Sequence, residues 1–163
     1  MAVLPIRVVP DPVLRNKAKH VRSIDSSIHR LISDMLETVR SAPGVGLAAP
    51  QVGVPLRVIV ISLPEQADIA LINPEIVRRN GERCIEEGCL SIPGYTGRVK
   101  RAISVTVKGR DPSGKEIRIK AKELLAQALE HEIDHLRGVL YIDRLESTEG
   151  LRKVEPAPAQ PKP

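Results

Sequence analysis

Apolar residues recur at spacings of three and four through residues 25–40, at Ile28, Leu31, Ile32, Met35, Leu36 and Val39. They form one face of an amphipathic helix of about four turns, and Asp25, Ser26 or Ser27 can cap its first free N–H groups. Upstream, Asp11-Pro12-Val13-Leu14 predicts a short helical turn opened by proline. The period changes after the glycine-rich turn Pro43-Gly44-Val45-Gly46. Arg57-Val58-Ile59-Val60-Ile61 reads as a buried strand, and Ala70-Leu71-Ile72-Asn73-Pro74 as another that Pro74 should end. Segments 75–79 and 82–87 are expected to pair across Asn80-Gly81, the strongest short hairpin signal in the chain. Residues 103–108 and 116–120 alternate apolar and polar on either side of an Asp111-Pro112-Ser113-Gly114 turn. Residues 122–136 return to helical spacing and are apolar nearly all round, which predicts a buried helix stopped at Gly138. Val139-Leu140-Tyr141-Ile142 is expected to be a last short strand. The Pro-Ala-Pro-Ala-Gln-Pro-Lys-Pro run after Glu155 cannot pack. The division expected is one domain over residues 1–147 and a Pro-rich, disordered tail over 148–163. Strands with one helix laid across them give an α+β fold: antiparallel or mixed sheets wrapped around the buried helix, with the N-terminal helix packed outside.

A chain of 163 residues is long enough for one domain with a real core. That core must be aliphatic, since the chain has no Phe, no Trp and only two Tyr. Any specificity pocket should be aliphatic too. No apolar run reaches the ~18 residues of a membrane span, and the N-terminus has neither a signal-peptide core nor a transit sequence. Cys84 and Cys89 make a poor disulfide framework, which favours a reducing, cytoplasmic location. The net charge is +5, with Lys and Arg scattered along the chain. Without aromatics to stack bases, specific nucleic-acid recognition is not expected. Charge alone allows a transient contact with the ribosome.

The chemistry lies in the second helix, where His131-Glu132-Ile133-Asp134-His135 is an HExxH stretch. Residues i and i+4 of a helix lie one above the other, so both imidazoles project from one face and can grip one metal ion. Glu132, about 100° round from His131, can border that ion without ligating it. Hydrolases use this arrangement to set a general base beside a metal-activated water. Two histidines do not complete a catalytic site, so a third ligand must come from elsewhere. The downstream position at which a metzincin carries its third histidine is Tyr141. His20 and His29 lie in polar segments without metal spacing. Cys89, in the glycine-flanked segment Glu87-Gly88-Cys89-Leu90-Ser91, could bring a thiolate to a helix laid across the sheet. Cys84 reads as a small residue of a strand core, and Glu87 with Arg101 as a buried ion pair bracing the Cys89 segment.

Three stretches stand in order: Gly44-Val45-Gly46-Leu47-Ala48-Ala49-Pro50-Gln51, Glu87-Gly88-Cys89-Leu90-Ser91 and His131-Glu132-Ile133-Asp134-His135. Together they resemble the three motifs of the bacterial, iron-dependent peptide deformylases, from about residue 4 to 146. The resemblance implies a hydrolase that removes the formyl group from N-formylmethionyl nascent peptides and releases formate. It implies Cys89, His131 and His135 as ligands of Fe²⁺, with Zn²⁺, Ni²⁺ or Co²⁺ as substitutes, and Glu132 as general acid and base. It implies Gln51 and the Leu90 N–H as oxyanion donors, and the backbone of Val45, Gly46 and Gly88 as the edge on which substrate lies. Glu130 stands where many relatives have Gln, and Gln127 and Ala128 replace larger apolar residues near the methionine pocket. Two other functions fit parts of the pattern: a zincin-like metallopeptidase, and a structural zinc module closed by Cys84, Cys89, His131 and His135.

Overall fold

The computed structural model describes residues 2–147 and 150–154. After a 3₁₀ turn at Pro12–Arg15 come helix α1 (Ser26–Arg40), strand β1 (Gly46–Ala48) and a 3₁₀ turn at Ala49–Val52. Strands β2 (Val58–Ile61), β3 (Ile69–Asn80), β4 (Arg83–Cys89), β5 (Ile92–Arg101), β6 (Ser104–Arg110) and β7 (Glu116–Lys122) follow. Helix α2 (Glu123–Leu136), a 3₁₀ turn at Tyr141–Arg144 and β8 (Leu151–Lys153) complete the order. One sheet runs β1-β2-β3-β6-β7 and the other β4-β5-β8. All strand pairs are antiparallel, and an isolated bridge between Lys19 and Leu56 is parallel.

Strand β2 shows why its sequence is apolar without alternation. Ile59 and Ile61 pack into the core with Leu129, Ile133 and Leu136 of α2. Val58 and Val60 face the other way and meet Ile28, Ile32, Met35 and Val39 of α1. A strand covered on both faces needs no polar side. α1 is capped by Asp25, whose carboxylate accepts from the N–H of Ser27 and Ile28. α2 is buried from Ala128 to Leu136, and five of those residues are ionisable: Glu130, His131, Glu132, Asp134 and His135. It ends at Leu136, two residues before Gly138, whose φ of +75° is left-handed and where an added Cβ would lie 2.4 Å from the Arg15 carbonyl oxygen. No other residue fits there without moving the backbone.

Three local expectations give way to the tertiary structure. Pro74 does not end its strand: β3 runs on to Asn80, and its pairing skips from Ile72–Arg110 to Glu75–Lys108. Pro74 sits inside this irregularity, where its missing N–H costs no ladder bond, and Asn73 adopts φ +54° to make the bend. Segments 75–79 and 82–87 do not pair across Asn80-Gly81. β3 pairs with β6, whose Val105 and Val107 fill the α2 core, whereas β4 crosses to the second sheet and pairs with β5. Residues 139–142 are not a strand. Leu140 and Tyr141 are both buried in one cluster with Leu14, Ile92 and Val99, and a strand would send adjacent side chains to opposite faces. A 3₁₀ turn buries both. Leu151–Lys153, within the expected tail, form β8 against Tyr95–Gly97. The proline-rich run from Glu155 lies outside the described residues.

Candidate active site

Cys89, the candidate third ligand, reaches α2 through an irregularity in β4. Gly88 pairs with Thr96 but Cys89 with Ile92, so the register slips between them and the chain turns inward. Cys89 Sγ then lies 3.3 Å from His135 Nε2, which is 3.2 Å from His131 Nε2. All three donor atoms fall within 4.8 Å of one another. A tetrahedral ion bound at ~2.0–2.3 Å would hold its ligand atoms roughly 3.3–3.6 Å apart, so the trio fits one cation.

His131 is oriented by a buried chain of charges. Its Nδ1 donates to Glu87 Oε2 at 2.6 Å, which leaves Nε2 directed at the other two donors. Arg101 grips Glu87 through Nε (3.0 Å) and Nη2 (2.5 Å), and donates through Nη1 to Asp134 Oδ2 (2.8 Å). Arg144 closes the chain with two further bonds to Asp134, of 2.6 and 2.9 Å. Burial alone would raise the Glu87 carboxyl, but the hydrogen bonds from His131 and Arg101 outweigh it and hold it at about 2. Glu87 is therefore a fixed anion behind the ligand. The Glu87–Arg101 pair was legible in the sequence; its extension to Asp134 and Arg144 was not.

Glu132 has a different environment. It is buried, and its Oε1 has no hydrogen-bond partner in the protein. Burial, the largest influence, pushes its carboxyl up to about 7, with the His131 charge opposing. Such a carboxyl is poised to take and return a proton near neutral pH. Gln51 is also buried. Its Oε1 accepts from the Ala48 N–H at 2.9 Å, which fixes the amide so that Nε2 faces Ser91 Oγ (3.1 Å) and Cys89 Sγ (3.6 Å).

These groups share a cavity of about 510 Å³, with walls that include Val45, Gly46, Gln51, Gly88, Cys89, Leu90, His131 and Glu132. His135, 1% exposed, lies beneath it. The cavity lies between β1 and β4, each the outermost strand of its own sheet. Of the nine residues that the resemblance implies for the site, eight line this cavity and the ninth, His135, lies 3.2 Å from His131.

A family model described as polypeptide deformylase matches residues 3–150. The chain belongs to the polypeptide deformylase family. A peptide deformylase of Dehalococcoides mccartyi is 55% identical over 99% of this chain and 97% of its own length. The crystal structure of a peptide deformylase from Legionella pneumophila superposes with a TM-score of 0.87 at 48% identity, covering 90% of this chain and 88% of that one. That of Synechococcus elongatus, in complex with actinonin, gives 0.85 at 46% identity over 88% and 79% of the two chains.

Within this deformylase site, Cys84 stands apart. It is half-exposed on β4, not in a strand core, and its Sγ donates to Glu146 Oε1 at 2.8 Å. Four residues lie between it and Cys89, and whereas Ile85 and Cys89 pack against the cluster of Leu14, Ile92 and Tyr141, Cys84 turns to Glu146. Among the described residues the group that could hold a metal ion is Cys89, His131 and His135, without Cys84. Cys84→Ser is expected to leave metal content, measured by elemental analysis, at the wild-type value; loss of the metal would restore the closed four-ligand site.

Gly46 has a steric role. A Cβ there would lie 2.6 Å from Glu132 Oε2, in contact with the carboxylate itself. Gly46→Ala should displace Glu132 and lower kcat by about 10- to 100-fold at unchanged metal content. An unaltered kcat would show that the carboxylate has room to move. Ser91, which accepts from Gln51, and Asp134 escaped the sequence reading, although both lie inside or beside the motifs.

Proposed function

We propose that this cavity hydrolyses the formamide of N-formylmethionyl nascent peptides, releasing formate. One observation carries the assignment: a cysteine sulfur and two imidazoles converge beside a buried carboxyl, Glu132, whose buried Oε1 has no protein partner. Cys89, His131 and His135 would hold a divalent cation, Fe²⁺ in the cell, with Zn²⁺, Ni²⁺ or Co²⁺ as substitutes. When bound, that cation supplies Lewis acidity, acidifying a water and polarising the formyl oxygen. Glu132 accepts the proton of the attacking water and returns it to the amine nitrogen as the C–N bond breaks. Gln51 Nε2 and the Leu90 N–H donate to the oxygen that gains charge, each contributing roughly 2.7–4 kcal/mol to its stabilisation.

The substrate chain lies as an added strand against the backbone of Val45, Gly46 and Gly88, joining the free edges of β1 and β4. Ala128 and Gln127 line the same cavity, on the side where an unbranched methionine side chain would rest. No helix among the described residues is long and apolar enough to cross a membrane. We place the protein in the cytoplasm, at work on chains leaving the ribosome, with its +5 charge favouring a transient contact there. The catalytic domain extends past residue 147 to β8, because Leu151–Lys153 pair with Tyr95–Gly97.

Incubating anaerobically purified protein with a formyl-Met tripeptide should release formate in step with the free amine, and the acetyl-Met analogue should be left intact. Metal-loaded protein that releases no formate would overturn the assignment. A zincin-like peptidase would instead cut the internal peptide bonds.

A further inference from the structure

A second cavity, of about 400 Å³, shares no wall residue with the first. Lys17 and His20 come to it from the N-terminal segment, Arg57 from the approach to β2, Arg79 from β3 and Arg137 from the end of α2. Against these stands Glu75. Asp134 also borders the cavity, but Arg101 and Arg144 already occupy both its oxygens. Arg79 gives its Nε to Glu130 at 3.3 Å.

Among the described residues, the remaining cations of the recess lack a carboxylate partner. Arg15, Arg83, Arg98 and Arg144 each pair with a carboxylate within 4.0 Å, whereas Lys17, Arg57 and Arg137 have no such pair among the described residues. Arg57 donates through Nη2 to the Pro74 carbonyl at 2.7 Å, but its Nε is buried with no partner. Burial, and after it the charge of Arg137, depresses the Arg57 guanidinium. Like charges gathered in a recess repel, and a bound anion relieves both that repulsion and the unmet donor. Guanidinium groups donate in a planar fork that matches phosphate oxygens, and the volume falls within the ~300–1,000 Å³ of small-molecule sites.

We propose that this recess binds a small phosphate-bearing anion, with Arg57 and Arg137 as its principal donors. The phosphate can come from the free ion or from a nucleoside monophosphate. Isothermal titration calorimetry of the metal-loaded protein at fixed ionic strength, with inorganic phosphate and with adenosine monophosphate as titrants, separates these sources. Saturable binding of either, at one per chain, is expected. Arg137→Gln, an exposed change that should not disturb folding, is expected to weaken it at least about tenfold, as is Arg57→Gln. Lys100→Gln, far from the recess in sequence and absent from its walls, should not. No binding by either titrant, or binding that survives both arginine substitutions and so belongs to the catalytic cation, would overturn the proposal.

Discussion

Glu132→Gln should lower kcat for formyl-Met tripeptide by about 10²–10⁴-fold, the range general acid–base groups contribute, while metal content stays at the wild-type value. Glutamine preserves shape and volume, so the cavity and its three ligands remain, but an amide cannot take a proton from water and return it to nitrogen. The present side chain is buried, has one oxygen without a protein partner, and burial pushes its carboxyl up to about 7. A neutral amide carries less desolvation cost there. The variant should therefore be no less stable than wild type, which separates lost chemistry from lost fold. Steady-state kinetics with parallel elemental analysis decides the matter. Retained turnover would move the proton-transfer role to another group.

The second large effect concerns stability. Arg101→Met should destabilise the metal-loaded protein by about 3–5 kcal/mol, because it leaves Glu87 and Asp134 as buried carboxylates without their shared cation. Arg101 is 2% exposed and bridges the two at 2.5–2.8 Å. Asp134 keeps Arg144, but Glu87 keeps only His131 and Gln127. Urea denaturation should show the loss as a lower midpoint at unchanged slope. Metal affinity should fall by about 10- to 100-fold as well, since Glu87 orients a ligand. A loss under about 1 kcal/mol would mean that the two acids neutralise themselves by taking up protons.

Much of this molecule is written locally. The 3–4 spacing of α1, the alternation of β6 and β7, and the i, i+4 histidines of α2 each arise from one element's own geometry. Cys89 was reachable because its setting between Gly88 and Leu90 matches a family pattern. What stayed hidden depends on partners distant in sequence. Asn80-Gly81 favours a hairpin, but the valines of β6 compete for the same edge of β3 and win by filling the α2 core. Pro74 is tolerated inside β3 because a bulge spares its missing N–H. Asp134 looked like a spacer in HExxH until Arg101 and Arg144, from β5 and a 3₁₀ turn, converged on it. Cys84 looked like a core residue because alternation along β4 does not say which face is covered. Glu130 accepts from the Ala102 N–H at 2.7 Å, a contact that depends on how α2 crosses the sheet.

The aliphatic core has an optical consequence. With no tryptophan in the chain, ultraviolet emission comes from two phenols alone. Tyr95 stands at the cavity mouth, 39% exposed. Tyr141 is buried, its ring 6.4 Å from that of His131 and inclined to it by 25°. One fluorophore thus looks out on whatever enters the groove and the other on whatever the imidazoles hold, so the unlabelled protein carries its own spectroscopic reporters of peptide and cation occupancy.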